Sequence, residues 1–256
     1  MKKSTYILFL VVLFMAINHI KALANNNQYA TQKIFQDRIY HSYISGQILN
    51  WERTLNELEV FYQQNSDASI LYDLLLARYG FIAMCLGEDE KRNARIHLDK
   101  AEKELEELFR HPGYKSQSYA LQGAFLGFRI SLRPLSAIRL GPRSYSAIDK
   151  AVESDPNNPV AWMEMGNSRF YTPSTFGGSK EEALKHYRKA VNLFEANLPN
   201  NHRWLYLNAL VGMAKSYQYM DQPWLAVATY ESALRYEPDF KWVKDELLPQ
   251  ARKILQ

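Results

Sequence analysis

Beyond residue 24 the apolar positions recur every three or four residues, not every second one. Ala101, Leu105 and Leu108 form one stripe, with Glu102, Glu104, Glu106 and Glu107 on its solvated side; Ala94, Leu98 and Ala101 form another, and Trp51, Leu55 and Leu58 a third. A period near 3.6 gathers such residues on one face of a helix and leaves the polar ones in water. No segment sustains the alternation of a half-buried strand. The pattern predicts an all-α chain with helix pairs over roughly 28–64, 68–109, 115–154, 158–195 and 202–235. A last stripe in DFKWVKDELLPQARKIL predicts a terminal helix over 239–256 that caps the stack, kinked or split at Pro249.

The later pairs share an internal spacing. Ala214 and Tyr217 lie on one helix, and Ala226, Tyr230, Ala233 and Pro238 follow at steps of four, three and five; upstream, Trp162, Met165 and Gly166 are followed by Ala183, Tyr187 and Ala190. Small residues let antiparallel helices approach, aromatic rings fill the space that remains, and proline ends the second helix. This arrangement resembles the tetratricopeptide repeat (TPR). The resemblance covers most of residues 25–256, read as one helical-repeat domain, and is clearest over 158–195 and 202–238. It implies an α-solenoid of about five helix pairs, similar to bacterial exported TPR proteins.

The upstream copy departs from the pattern. Its second helix arrives five residues late, after the connector Thr172–Ser179, in which Pro173 stops one helix, Gly177 and Gly178 permit unusual backbone angles, and Ser179 with Glu182 matches a capping box. Three readings stand: a turn with local roles only, an anion site at the next helix start, or a loop whose tip residue Phe176 contacts a ligand. Glu181 and Glu182 in the first helical turn oppose an anion there.

At the N-terminus, Lys2 and Lys3 precede an apolar run from Tyr6 to Ile17, and Ala22-Leu23-Ala24 offers a small-residue cleavage site. This predicts a cleaved secretory signal over 1–24 and an exported protein, periplasmic or extracellular, without a further membrane span. Of 31 basic residues Lys2, Lys3 and Lys21 leave with the signal, so 28 remain against 27 acidic ones. A balance of +1 gives no electrostatic footprint for nucleic acid. The single cysteine, Cys85, sits in an apolar helical stretch and reads as a buried thiol.

No catalytic constellation, metal motif or cofactor fingerprint is present, and the five histidines past residue 24 (His41, His97, His111, His186, His202) lack ligand spacing. The segment RPLSAIRLGPRSY brings Arg133, Arg139 and Arg143 together; it reads either as a receiver for an acidic partner or as a long surface connection whose arginines bond nearby helix ends and acids. One step around from the core stripe, Met163, Asn167, Phe170 and Tyr171 share a face, as do Asn208, Lys215, Gln218 and Tyr219 on the next repeat. The TPR resemblance implies that this face lines a concave groove for another protein, so these eight are the candidate partner contacts. For Met163 and Phe170 the alternative is packing against the neighbouring helices. The expected function is a non-catalytic protein-binding scaffold; a small-ligand carrier associated with solute transport is the alternative.

Overall fold

A computed structural model describes residues 26–198 and 202–255, so the predicted signal segment lies outside the described residues. The described chain is helical throughout. Helix α1 covers 26–45; α2 (Ile48–Asn65), α3 (Ala68–Gly87), α4 (Lys91–Leu108), α5 (Lys115–Leu132), α6 (Ala137–Ser154), α7 (Pro159–Tyr171), α8 (Lys180–Glu195), α9 (Arg203–Tyr219) and α10 (Pro223–Tyr236) follow. A π-helical turn, Trp242–Leu247, then leads into α11 (Leu248–Lys253). Pro249 has no N–H to continue the α-helical ladder, which accounts for the widened turn just before it. The helices pair in antiparallel fashion, α3 with α4, α5 with α6, α7 with α8 and α9 with α10, and successive pairs stack.

Tyr187 shows how the stack is clamped. Its ring is buried between two glycines of different helices: a Cβ on Gly166 of α7 would come within 2.8 Å of it, and one on Gly212 of α9 within 2.5 Å. Any larger residue at either glycine would push the pairs apart, so the small-against-aromatic spacing is a packing requirement across two repeats.

The stack also closes on itself. Trp204, at the start of α9, is buried with its ring 5.2 Å from Trp51 of α2, 5.6 Å from Tyr43 of α1 and 6.1 Å from Tyr79 of α3. Gly80 makes room, because a Cβ there would meet Trp51 at 2.4 Å. Tyr43 continues the cluster to Phe240 at 5.1 Å. Polar contacts repeat the closure: Tyr40 donates to Glu237 at 2.6 Å, Arg203 pairs with Asp37 at 3.1 Å and lies over the Tyr40 ring at 3.8 Å, and buried Asp73 accepts from Gln32 and Gln36 at 2.7 Å each. Helix α1 therefore seals the first pairs against the last.

Three sequence expectations are corrected. The stretch from Ala137 to Tyr145 is not connector but the first half of α6; Pro142 sits about one and a half turns from its start, where its missing N–H forfeits one ladder bond and its ring crowds the Ile138 carbonyl. Helix α3, 20 residues with mean hydropathy 1.5, is long and apolar enough to cross a membrane by composition, contrary to the expectation that no stretch past residue 24 is; here it is the core helix that α1, α2, α4 and α5 pack around. Glu104 is not on the solvated side: it binds fully buried Arg78 through two 2.6 Å bonds, alongside Glu59 at 3.0 Å.

Truncating the closure residue should show its weight. Trp204→Ala is expected to cost about 3–5 kcal/mol in urea unfolding, as large-to-small changes of a buried aromatic do, and to speed amide exchange in α1 ahead of α5 and α6; unchanged α1 exchange would refute the closure.

Candidate binding surface

The predicted groove residues divide into two groups. Met163 is fully buried, its sulfur 3.8 Å from the Asn208 amide nitrogen, and Phe170 is buried too, so both follow the packing alternative and neither is open to a partner. The Asn167 amide donates to Glu164 at 2.9 Å and to the Tyr79 hydroxyl at 3.2 Å, and its oxygen accepts from Tyr187 at 2.6 Å. Lys215 lies 4.6 Å over the Trp242 ring, and burial lowers its pKa. Gln218 accepts from Tyr230 at 3.0 Å. The face expected to line an open groove is thus occupied by the protein's own side chains, from α3 on one side and the π-helical turn on the other.

Tyr171, Tyr219 and Phe176 remain at the surface. They lie where α7 and α9 end and where the connector 172–179 turns, and the helix ends are held together by Phe170, whose ring is 5.3 Å from Tyr219 and 5.0 Å from Tyr171. Lys180, at the start of α8, bonds back to the Phe170 carbonyl and sets its ammonium 3.9 Å over the Phe170 ring and 4.9 Å over Tyr219. Trp224, in the first turn of α10 after the turn that follows Tyr219, is exposed as well. Exposures of 69% for Tyr171, 67% for Phe176, 69% for Tyr219 and 72% for Trp224 leave four large rings in solvent, with the Lys180 cation over one of them, Tyr219. Sequence reasoning missed Trp224, yet the signal was there: two residues before Ala226, it points away from the Ala226–Tyr230–Ala233 core stripe.

The connector answers its three readings in part. Its backbone is satisfied internally: Gly177 takes φ +87° and its carbonyl accepts from Arg169 at 3.0 Å, the Gly178 N–H donates to Pro173, Ser179 N–H donates to the Arg169 carbonyl, and Ser179 Oγ accepts from the Glu182 N–H at 3.2 Å. A Cβ on Gly178 would strike the Thr172 carbonyl at 1.8 Å, so the turn requires that glycine. The Glu182 carboxylate goes to Lys185, completing only half of the capping box. The Glu182 N–H at the helix start is thus already bonded, which supports the turn reading, and the connector's tip presents Phe176.

Elsewhere the chemistry is structural. Burial and Arg78 push His97 down to about 4, and burial pushes the Cys85 thiol up to about 12. A cleft of about 610 Å³ between α1, α2 and the π-helical turn mixes Arg53, Lys241 and Lys244 with Asp239 and Asp245, and no predicted residue lines it. Among the described residues no group of three or more His, Cys, Asp or Glu is placed to hold a metal ion. Beneath the aromatic edge, Glu164 is buried, and desolvation lifts its pKa to about 7 against the hydrogen bonds from Tyr79 and Asn167.

No protein-family model matches the sequence, and no curated protein matches it. Solved structures do match in fold. A haemophore, HusA from Porphyromonas gingivalis, is 20% identical with a TM-score of 0.61, covering 73% of this chain and 92% of its own. The TPR protein TTC0263 of Thermus thermophilus is 16% identical with a TM-score of 0.52, covering 86% and 98%. The fold is accordingly a TPR-like α-solenoid, as the repeat spacing predicted.

The buried carboxyl gives a test with a definite sign. The unfolded chain releases the Glu164 proton near 4.5 while the folded protein holds it to about 7, so stability is highest below 4.5 and falls as pH rises to 7. Glu164→Gln should match the wild type near pH 4 and exceed it at pH 8 by about 3 kcal/mol, measured by urea unfolding at both pH values; a variant without pH-dependent advantage would place the carboxylate in a solvated site.

Proposed function

We propose that this protein is a non-catalytic binding protein, acting after export in the periplasm or outside the cell, that holds a partner polypeptide on the exposed ends of α7 and α9 instead of in a deep groove. The observation that carries this reading is the exposure of Tyr171 and Tyr219 on the buried Phe170 ring at the ends of α7 and α9, with Lys180 over Tyr219 and two further exposed rings, Phe176 and Trp224, on the adjoining turns. Contiguous exposed aromatic surface marks interaction sites, and Trp, Tyr and cations dominate the energetics of such sites. Phe170 and the connector hold the rings in place before a partner arrives, and this rigid backing limits the ordering cost of binding. The TPR-like fold supports the interaction-scaffold class, and the N-terminal apolar run supports export.

A second reading is favoured by the same edge. A haem-like ligand is a planar ring system carrying carboxylates, and the fold is shared with a protein described as a haemophore. Tyr171 and Tyr219 offer flat faces and Lys180 a cation beside them. Titration with haem, followed by absorbance, separates the two readings, because the polypeptide reading gives no saturable spectral change.

The polypeptide reading is tested by affinity capture from envelope extract with the wild type, with Tyr171→Ala/Tyr219→Ala/Trp224→Ala, and with Asn167→Ala/Asn208→Ala/Lys215→Ala, each checked for thermal stability. Loss of one hot-spot residue costs about 2 kcal/mol or more, roughly thirtyfold in affinity. The edge variant should stay folded, with the modest drop in melting temperature that loss of the Phe170 and Lys180 contacts brings, and lose the partner, while any folded hollow variant retains it; partner loss only in the hollow variant would overturn the assignment.

A further inference from the structure

The two most exposed large apolar side chains among the described residues are neither in the hollow nor on the aromatic edge. Leu135 is 95% exposed and Ile138 is 83% exposed, on the connector from α5 to α6 and the first turn of α6. Arg133, Arg139 and Arg143 flank them. The expectation that these guanidiniums bond helix ends and acids is not met: among the described residues none of the three has a hydrogen-bond or ion-pair partner. The surrounding sequence is one-sided in charge, for no Asp or Glu occurs between Glu107 and Asp149, while Arg110, Lys115, Arg129, Arg133, Arg139 and Arg143 do.

The segment is held rigidly in this pose. Residues Pro134–Ser136 form a 3-10 turn, the Arg133 N–H bonds the Arg129 carbonyl at 2.9 Å, and Ser136 closes on the Arg133 carbonyl through its N–H and its hydroxyl. Leu140 and Ser144 anchor the other face of α6, Ser144 donating to the Gly123 carbonyl at 2.8 Å. The turn thus carries two exposed aliphatic side chains in a short stretch that also holds three exposed arginines without side-chain partners among the described residues.

We propose that this tip is a membrane-surface contact, seating Leu135 and Ile138 among lipid headgroups while Arg133, Arg139 and Arg143 bind anionic phosphates. A lipid surface fits better than a protein one. Protein hot spots favour Trp and Tyr and under-use Leu, as the aromatic edge illustrates, whereas unpaired arginines around a small aliphatic tip match a soft, anionic, phosphate-bearing surface. Guanidinium groups bind phosphate oxygens in a bidentate way. The contact is peripheral and reversible, since two aliphatic side chains do not anchor a protein alone.

Flotation with phosphatidylcholine vesicles, with and without phosphatidylglycerol, tests this on protein in the form that accumulates in the cell. The wild type should float with phosphatidylglycerol vesicles at low salt, detach as salt rises, and ignore phosphatidylcholine alone. Each arginine near an anionic surface is worth about fivefold in partitioning, so Arg133→Ser/Arg139→Ser/Arg143→Ser should lower it about a hundredfold. Leu135→Ser/Ile138→Ser should lower it at least about tenfold, and neither variant should change the melting temperature, because these side chains have no internal partners. The proposal is overturned if the wild type does not float. It is equally overturned if flotation ignores headgroup charge and both variants, as binding through the apolar run 6–17 would, or if only the aromatic-edge variant abolishes it. Variants that alter partner capture and leave flotation intact also overturn it, by giving the tip to a polypeptide.

Discussion

Trp204 stands where the two ends of the stack meet, and its burial decides what kind of surface the protein has left to offer. A helical repeat that stays open presents the inner face of its first helices to solvent. Here the ring of Trp204 touches Tyr43, Trp51 and Tyr79, side chains from three other helices, and Gly80 is the backbone position that lets Trp51 come close enough. Once these rings meet, burying apolar area favours a closed stack, and the polar residues of the inner face must find partners among themselves. They do so in the chain Tyr187–Asn167–Glu164 with Tyr79, which satisfies the buried carboxyl group, while its desolvation is what holds the proton toward neutral pH.

On the reading proposed above, that closure moves function outward. With the inner face occupied, the surfaces available for binding are those where first helices end and connectors turn. Two such surfaces differ in chemistry: the ends of α7 and α9 offer exposed aromatic rings with Lys180 over one of them, while the α5–α6 turn offers aliphatic side chains near arginines in sequence. Both are backed by rigid packing, so neither has to be organised at the moment of contact.

Much of the fold was legible in the chain. The 3.6-residue period located the helix pairs, and the Gly166–Tyr187 spacing marked the clamp, because both are local or nearest-neighbour constraints that a sequence states directly. What the sequence concealed was long-range. Nothing local tells that Trp204 will face Trp51, 153 positions away, so the groove face read from Met163, Asn167, Asn208 and Lys215 looked open when it is filled. Two of the eight residues in that reading, Tyr171 and Tyr219, remain exposed because they fall at helix ends, beyond the reach of the closing cluster. Pro142 misled for a local reason: a proline suggests a break, yet here α6 runs on past it, and the packing of Leu140, Ser144, Ala147 and Ile148 offsets the lost bond and the crowding of the preceding turn.

The central claim is that partners meet the outer edge and not the inner face, and site-specific photo-crosslinking tests it most directly. A photoreactive side chain at position 219 samples the edge, and one at position 208 samples the hollow beside Met163. The copurifying polypeptide should crosslink from position 219 and not from position 208. Crosslinks from 208 with none from 219 would contradict the account.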